Sequence, residues 1–177
     1  LSFCEEEFLT QQQMRKGTMQ LIDSERAEQL YFAMNEDSAE VSGGSAANTL
    51  AGMADLGAKT AFIGKVSADD LGEVFRRSMR EVGVAFDTPN ATHDIPTARC
   101  LILVTPDGQR TMNTFLGAAG ELHDHDINTA LVSQAKILYG EGYMWDLECT
   151  KKALRHAFAA ARQAGTKIAF TLSDVFC

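Results

Sequence analysis

Helical spacing of apolar residues alternates with short apolar runs along most of the chain. The helical pattern covers 25–34, 45–56, 70–81, 124–133 and 148–163, and the short runs occupy 19–22, 59–63, 136–139 and 167–172. Acidic or hydroxyl side chains stand where several of these helices begin, and glycines stand where several end. Helices between short strands are typical of parallel crossovers, so the pattern predicts an α/β layer fold.

The pattern of apolar and polar residues changes between Val84 and Gly117. Three of its segments have strand character, at 84–88, 97–105 and 110–116, with proline-containing turns between them. Pro106-Asp107-Gly108 predicts a hairpin, because proline presets φ and glycine accepts a positive φ. Strands joined in this way predict a small antiparallel sheet beside the main one, which could serve as a lid.

Length, charge and cysteine usage exclude several classes of protein. The 177 residues are 45% hydrophobic, enough for one globular domain with a proper core, or for one domain plus a small appendage. The formal net charge is −8 with no basic cluster, which argues against a nucleic-acid partner. No apolar run approaches the roughly 20 residues of a membrane span, and no signal-peptide pattern is present. The four cysteines form no CxxC pair, which favours reduced thiols and a cytoplasmic location.

Two glycines, Gly43 and Gly44, run directly into the small-residue helix predicted at 45–56. They remove every β-carbon from the start of the helix, where free N–H groups and the positive end of the helix dipole are open to a ligand. Asn48, one turn inside, carries both a donor and an acceptor on a short side chain. This arrangement predicts a binding site, and the alternative is a tight turn followed by a core helix.

Three other motifs are open to more than one interpretation. The run His123-Asp124-His125-Asp126 contains metal-ligand residue types, but its histidines would point apart on a helix and its aspartates sit at capping positions, which favours caps over a metal site. Gly140-Glu141-Gly142 follows a strand as a dinucleotide loop does, but Trp145 stands where that loop needs a small residue. The run 117–121 is small enough to cradle an anion, although a plain linker fits it better. The sequence contains no nucleophile elbow, so it gives no support to a hydrolase.

Strand alternation puts Arg110, Met112, Thr114 and Leu116 on one face of the predicted hairpin. A face with one cation followed by mainly apolar groups could close over a ligand that has an anionic end and a flat apolar end. The alternative is a half-buried sheet face with a solvent-exposed arginine.

Four segments together resemble the PfkB family of carbohydrate and nucleoside kinases, nearest to its adenosine kinase branch. They are SGGSAAN at 42–48, FIGKVSADDLGEVF at 62–75, PTARCLILVTPDGQRTMNTFLGAA at 96–119 and TLSDVF at 171–176. The resemblance implies a ribokinase-like, three-layer, Rossmann-like α/β sheet with a small antiparallel β lid. It also implies transfer of the γ-phosphate of ATP, with Mg²⁺, to the 5′-hydroxyl of a nucleoside, for which adenosine is the first candidate.

The resemblance also assigns roles to individual residues. Gly43, Gly44 and Asn48 match positions that bind the substrate ribose, and Arg110 matches a lid arginine near the phosphates. Met112, Thr114 and Leu116 match lid positions around the nucleobase, and Met144 and Phe176 match hydrophobic positions that sandwich it. Methionine and phenylalanine suit a flat aromatic ring, and a guanidinium suits charge that moves during phosphoryl transfer.

The sequence also departs from the family pattern. It has neither the Asn-x-x-Glu segment that organises magnesium nor the Gly-Ala-Gly-Asp turn that supplies the catalytic aspartate. We therefore expect residues 1–177 to be the N-terminal substrate half of a kinase without its first strand, with lid strands from about 14–23 and 84–117 inserted in the α/β core. The catalytic aspartate and most contacts to ATP and Mg²⁺ are expected beyond Cys177, so this chain alone is expected to be inactive.

Two alternatives stay open at this point. A sugar kinase of ribokinase or fructokinase type is the nearest rival, although it should line its pocket with more hydrogen-bonding groups than Met112, Leu116, Met144 and Phe176 provide. The other alternative is a protein without catalytic activity that binds a nucleoside or forms a homodimer through its lid.

Overall fold

The computed structural model describes residues 1–34 and 38–173. In chain order its strands and α-helices are β1 (Ser2–Phe3), α1 (Glu6–Gln11), β2 (Met19–Leu21), α2 (Ser24–Ala33), α3 (Ser45–Asp55), β3 (Thr60–Ala61), α4 (Asp70–Glu81), β4 (Val84–Ala85), β5 (Arg99–Val104), β6 (Arg110–Phe115), α5 (Thr129–Gln134), β7 (Ile137–Glu141), α6 (Glu148–Ala164) and β8 (Lys167–Thr171). Among the described residues, no helix is both long enough and apolar enough to cross a membrane.

The chain divides into two units. The first, which we call the β unit, is formed by Leu1–Val41 and Ala98–Gly117. The second, the α/β unit, is formed by Ser42–Thr97 and Ala118–Cys177. The chain therefore passes between the units at three places, and the β unit is assembled from two separate segments.

The β unit contains a four-stranded sheet in the order β1-β5-β6-β2. Its centre is the predicted hairpin, in which β5 and β6 pair antiparallel and Ile102 lies opposite Met112. The hairpin turn uses Gly108 at φ +80°, a value that favours glycine. The two outer strands pair parallel to their neighbours, β1 with β5 and β2 with β6.

One face of this sheet is covered by the two helices of the β unit. A buried cluster joins Leu9 of α1 and Leu30 of α2 to Leu101 and Leu103 of β5, together with Met14. Asp23 begins α2 as its N-cap, and its side chain accepts a hydrogen bond from the Arg26 N–H at 2.8 Å. Because the helices occupy one face, the opposite face of the sheet is the one available to a ligand.

The α/β unit contains two pairs of parallel strands, β3 with β4 and β7 with β8. Helices α3 and α4 pack around Val66, Val84 and Phe86, while α5 and α6 contribute to a second buried cluster. These parallel pairs with helices between them confirm the predicted α/β class. The segment 84–88 differs from the prediction, because β4 pairs with β3 and does not join the lid sheet.

The helix predicted at 124–133 is interrupted. The structure has a short 3₁₀ helix at Asp124–Asp126, followed by α5, which begins at Thr129. Asn128 is the N-cap of α5, and its side-chain oxygen accepts a hydrogen bond from the Leu131 N–H at 3.0 Å. An N-cap has non-helical backbone angles, so this residue ends one helical turn and begins another.

Candidate functional site

The start of α3 is open, as the sequence predicts. Gly44 is the N-cap with φ +109° and ψ 141°, a conformation that is essentially restricted to glycine, and no side chain caps the helix. Gly43, Gly44 and Asn48 are exposed, whereas Ala47 is buried against the cluster around Phe86. The helix is thus held by its small apolar face while its first turn faces outward.

A carboxylate that sequence reasoning did not assign lies beside this helix start. Glu141 ends β7, and its Oε2 accepts a hydrogen bond from the Ser45 hydroxyl at 2.8 Å. Its Oε1 accepts one from the Tyr139 hydroxyl at 3.3 Å. Burial and the neighbouring Glu141 raise the pKa of Tyr139, which keeps that hydroxyl a donor. The carboxylate is therefore oriented next to Gly44, where it can accept hydrogen bonds from ligand hydroxyls.

The turns after β7 and β8 approach each other closely. A β-carbon at Gly142 would lie 2.5 Å from the Leu172 carbonyl oxygen, so only glycine fits there. Ser173 has φ +67°, which is uncommon for a residue other than glycine. In open α/β sheets, ligands bind at the carboxyl ends of the strands, and strained backbone concentrates at functional sites. The Ser42 and Ser173 hydroxyls are buried with no hydrogen-bond partner among the described residues, and a ligand group would satisfy such atoms.

Met144 lies in the same turn, within the 3₁₀ helix Gly142–Trp145 that follows β7. Its side chain is half-buried and packs against the cluster that contains Leu122 and Ile127. Its carbonyl accepts a hydrogen bond from the Thr150 hydroxyl at 2.7 Å, which holds the turn onto α6. Phe176, the other residue expected around the nucleobase, lies outside the described residues.

In the β unit, the predicted alternation along β6 is present. Arg110, Met112 and Thr114 share one face, opposite Val104, Ile102 and Cys100 of β5. Thr111 and Asn113, between them, are buried on the other face. Leu116 follows the end of β6 at Phe115, so strand alternation does not fix its direction.

The pairing register between β2 and β6 adds residues of β2 to this open face. Met19 lies opposite Met112, and Leu21 lies opposite Thr114. The sequence assigns 14–23 to the lid strands but predicts no role for Met19 or Leu21, because pairing between strands this far apart leaves no local pattern. The open face is thus mainly apolar, with the exposed Arg110 at one end.

The run 123–126 acts as a structural cap. Asp126 is buried, pairs with Lys65, and accepts a hydrogen bond from the His123 N–H at 2.9 Å. Burial alone would raise the pKa of Asp126, but Lys65 and the His123 N–H hold it below its usual value. Across the described ranges, no group of three His, Cys, Asp or Glu side chains could hold a metal ion.

The run 117–121 is packed as a connecting segment. It forms a 3₁₀ helix in which Ala118 and Gly120 are buried. A β-carbon at Gly120 would lie 2.9 Å from Leu147 Cδ1, and the Gly120 carbonyl accepts a hydrogen bond from the Cys149 thiol at 3.1 Å. This packing fits the linker interpretation better than an open anion cradle.

Comparison with known proteins gives a family match over most of the chain. A protein-family model described as pfkB family carbohydrate kinase matches residues 27–176. Among curated proteins, the ribokinase of Mus musculus is 28% identical over 151 residues, which are 76% of this chain and 45% of that protein. The 5-dehydro-2-deoxygluconokinase of Lacticaseibacillus casei is 32% identical over 135 residues, 73% of this chain and 41% of that protein.

Solved structures are similar over nearly all of the chain. The adenosine kinase of Sinorhizobium meliloti has a TM-score of 0.93 and 46% identity, covering 99% of this chain and 54% of that one. A probable sugar kinase from Rhizobium etli CFN 42 has a TM-score of 0.92 and 46% identity, covering 99% and 53%. The adenosine kinase of Anopheles gambiae, at 23% identity and a TM-score of 0.82, shows the fold alone. The chain spans about half the length of these structures and less than half of the curated relatives.

Proposed function

Because the chain belongs to the pfkB family of carbohydrate kinases, we propose that the full-length protein transfers the γ-phosphate of ATP to the 5′-hydroxyl of a nucleoside, with adenosine as the substrate. The observation that carries this proposal is the Glu141 carboxylate fixed beside the uncapped start of α3. Adjacent hydroxyls of a ribose offer donors to the carboxylate and acceptors to the helix N–H groups, and this site supplies both.

In this proposal the α/β unit holds the sugar. Gly43 and Gly44 let the ribose approach the backbone, while Asn48 and Glu141 bind its hydroxyls. Phosphoryl transfer requires mainly positioning and charge stabilisation from the protein, so a rigid clamp on the sugar is a suitable contribution.

The β unit supplies the lid. Met112 and Thr114 on its open face, together with Leu116 after the end of β6, would cover the nucleobase. The nucleobase contacts that the resemblance implies for Met144 and Phe176 belong to the same proposal. Arg110, a permanent cation at the end of that face, would balance charge on the transferring phosphate. The apolar character of the face favours a nucleoside over a bare sugar.

Mg²⁺ and ATP belong to the family reaction, and their contacts are expected from motifs that this sequence does not contain. The 177 residues alone should therefore show no ATP-dependent phosphorylation of adenosine. ATP-dependent phosphorylation of adenosine by the isolated 177 residues would refute the proposal that the catalytic groups lie outside them.

A sugar kinase is the second candidate, because the curated relatives include a ribokinase and fructokinases. ADP release by the full-length protein should be compared with adenosine, ribose and fructose as acceptors. A kcat/KM for adenosine at least tenfold above both sugars supports the nucleoside assignment, and the reverse order replaces it with a sugar kinase. Equilibrium sedimentation with and without adenosine tests the remaining alternative, a homodimer formed through the lid.

Two variants test the site itself. Asn48→Ala and Glu141→Gln should each cost about 1–3 kcal/mol in nucleoside binding or turnover, the range for a lost buried hydrogen bond. Glu73→Gln is a matched control, because this exposed residue of α4 contributes to no proposed contact. Unchanged kinetics in both site variants would remove the start of α3 from the substrate site.

A further inference from the structure

The chain leaves the α/β unit after Thr97 to form the β5–β6 hairpin and returns to it at Ala118. Both of these residues are buried within the α/β unit, at 4% and 0% exposure. The Ala118 N–H donates a hydrogen bond to the Pro96 carbonyl at 2.9 Å. The outgoing and returning segments are therefore tied to each other where they join the α/β unit.

Asp69 holds the outgoing segment with both carboxylate oxygens. Its Oδ2 accepts a hydrogen bond from the Thr97 N–H at 2.8 Å, and its Oδ1 accepts one from the Thr97 hydroxyl at 2.6 Å. The same Oδ1 caps α4 by accepting from the Gly72 N–H at 2.8 Å. Burial would raise the pKa of Asp69, but these hydrogen bonds hold it below its usual value, so the group stays ionised.

Two neighbours complete the anchor. The Ser67 N–H donates to the Thr97 hydroxyl oxygen at 2.9 Å, and the Ser67 hydroxyl donates to the Ile95 carbonyl. A β-carbon at Gly72 would lie 2.1 Å from the Ser67 carbonyl oxygen, so glycine is required for α4 to start this close. The spacing Asp69-x-x-Gly72 is explained by this contact.

We propose that Asp69 is a positioning residue for the kinase reaction, because it fixes the segments through which the hairpin of the β unit is connected. The proposal rests on the proposed function, in which that hairpin is part of a lid. A lid closes productively only if its connecting segments confine its motion, and a misplacement of about 1 Å can reduce rates by about 100-fold. Asp69 itself contacts neither substrate nor phosphate in this assignment.

The rival explanation is that Asp69 only caps α4. Asp69→Ser separates the two roles, because serine is as good an N-cap as aspartate but is too short to hold Thr97. Thr97→Val removes the hydroxyl from the other side of the contact, and Thr97→Ser restores it. Asp70→Ser is the matched control, since Asp70 is exposed and is the next residue of the same helix.

The full-length protein should be assayed for ADP release with adenosine. Asp69→Ser and Thr97→Val should each raise the KM for adenosine about tenfold and lower kcat, and ATP hydrolysis without acceptor should rise relative to transfer. Thr97→Ser and Asp70→Ser should keep wild-type values. Lower thermal stability with unchanged KM, kcat and coupling would show that Asp69 is only a cap and would overturn the proposal.

Hydrogen exchange tests the contacts of Asp69 independently of the proposed function. In Asp69→Ser, peptides that span 94–99 and 116–120 should exchange faster than in wild type and in Asp70→Ser, whether or not adenosine is the substrate. If the full-length protein phosphorylates no nucleoside or sugar, the proposed function fails, and slow exchange of these peptides in Asp69→Ser would overturn the anchor as well. Accelerated exchange there would retain the anchor.

Discussion

Replacing Lys65 by methionine should reveal the cost of a buried, unpaired carboxylate. The side chains of Lys65 and Asp126 are 5% and 3% exposed, so water does not replace the lost cation. Removing one partner of a buried ion pair costs about 3–5 kcal/mol. We expect the lower end, about 3 kcal/mol, because Asp126 keeps the His123 N–H and has His125 Nε2 at 3.9 Å.

The sign of the pH dependence distinguishes this mechanism from a simple packing defect. In wild type, the folded-state pKa of Asp126 is lowered, so its contribution to stability is present above the unfolded value of about 3.9 and is lost as pH falls through the folded value. In Lys65→Met, burial acts without the cation and raises the pKa. The destabilisation should then be largest near pH 7 and shrink as Asp126 becomes protonated.

Urea denaturation of the full-length protein at pH 7.5 and 5.5 measures both effects. Adding Asp126→Asn to Lys65→Met should recover part of the lost stability, and Lys59→Met, at an exposed lysine, should change it by less than about 0.5 kcal/mol. Because His125 Nε2 lies 3.9 Å from the Asp126 carboxylate, the series should be repeated with His125→Gln. A Lys65→Met variant within about 1 kcal/mol of wild type at pH 7.5 would show that the pair is solvated and refute the reasoning.

Three further variants test local features. Gly44→Ala should lose about 1–3 kcal/mol of stability by urea denaturation, because alanine is strained at φ +109°, and a loss below about 0.5 kcal/mol would argue against that conformation. Gly72→Ala should lower the thermal midpoint more than Gly52→Ala, because a β-carbon at 72 meets the Ser67 carbonyl at 2.1 Å whereas one at 52 meets nothing within 4 Å. The Lys16 ammonium lowers the pKa of Asp107 to about 2. The difference in urea midpoint between wild type and Asp107→Asn should therefore be constant above pH 5, and it should vanish between about pH 4 and 2 as Asp107 becomes protonated. A pH-independent difference would show that Asp107 acts without its charge.

Local patterns in the sequence were sufficient for the elements that depend on local chemistry. The start of α3, the turn at Gly108 and the alternation along β6 follow from glycine conformation and strand periodicity, and the structure has all three. The resemblance to the PfkB family drew on the same segments. The roles assigned to Arg110, Met112 and Asn48 in substrate binding stay predictions.

Contacts between segments that are distant in the sequence could not be predicted from local patterns. Lys65 and Asp126 are 61 residues apart, and nothing in either neighbourhood marks them as partners. Glu141 was considered only as part of a glycine loop, because its bond to Ser45 depends on how β7 lies beside α3. The split of the helix predicted at 124–133 was missed for a local reason, since the capping preference of Asn128 was outweighed by helical spacing.

The pairing of β1 with β5 constrains the order in which parts of the chain can fold during translation. Ser2 of β1 pairs with Leu103 of β5, so β1 leaves the ribosome long before the strand that it pairs with is made. Until β5 and β6 emerge, Leu9 and Leu30 lack the surface that they are buried against, whereas β3 and β4 can pair as soon as Ala85 is out. The segment that contains α1 and α2 therefore stays without its buried contacts for longer during synthesis than the segment that contains β3 and β4.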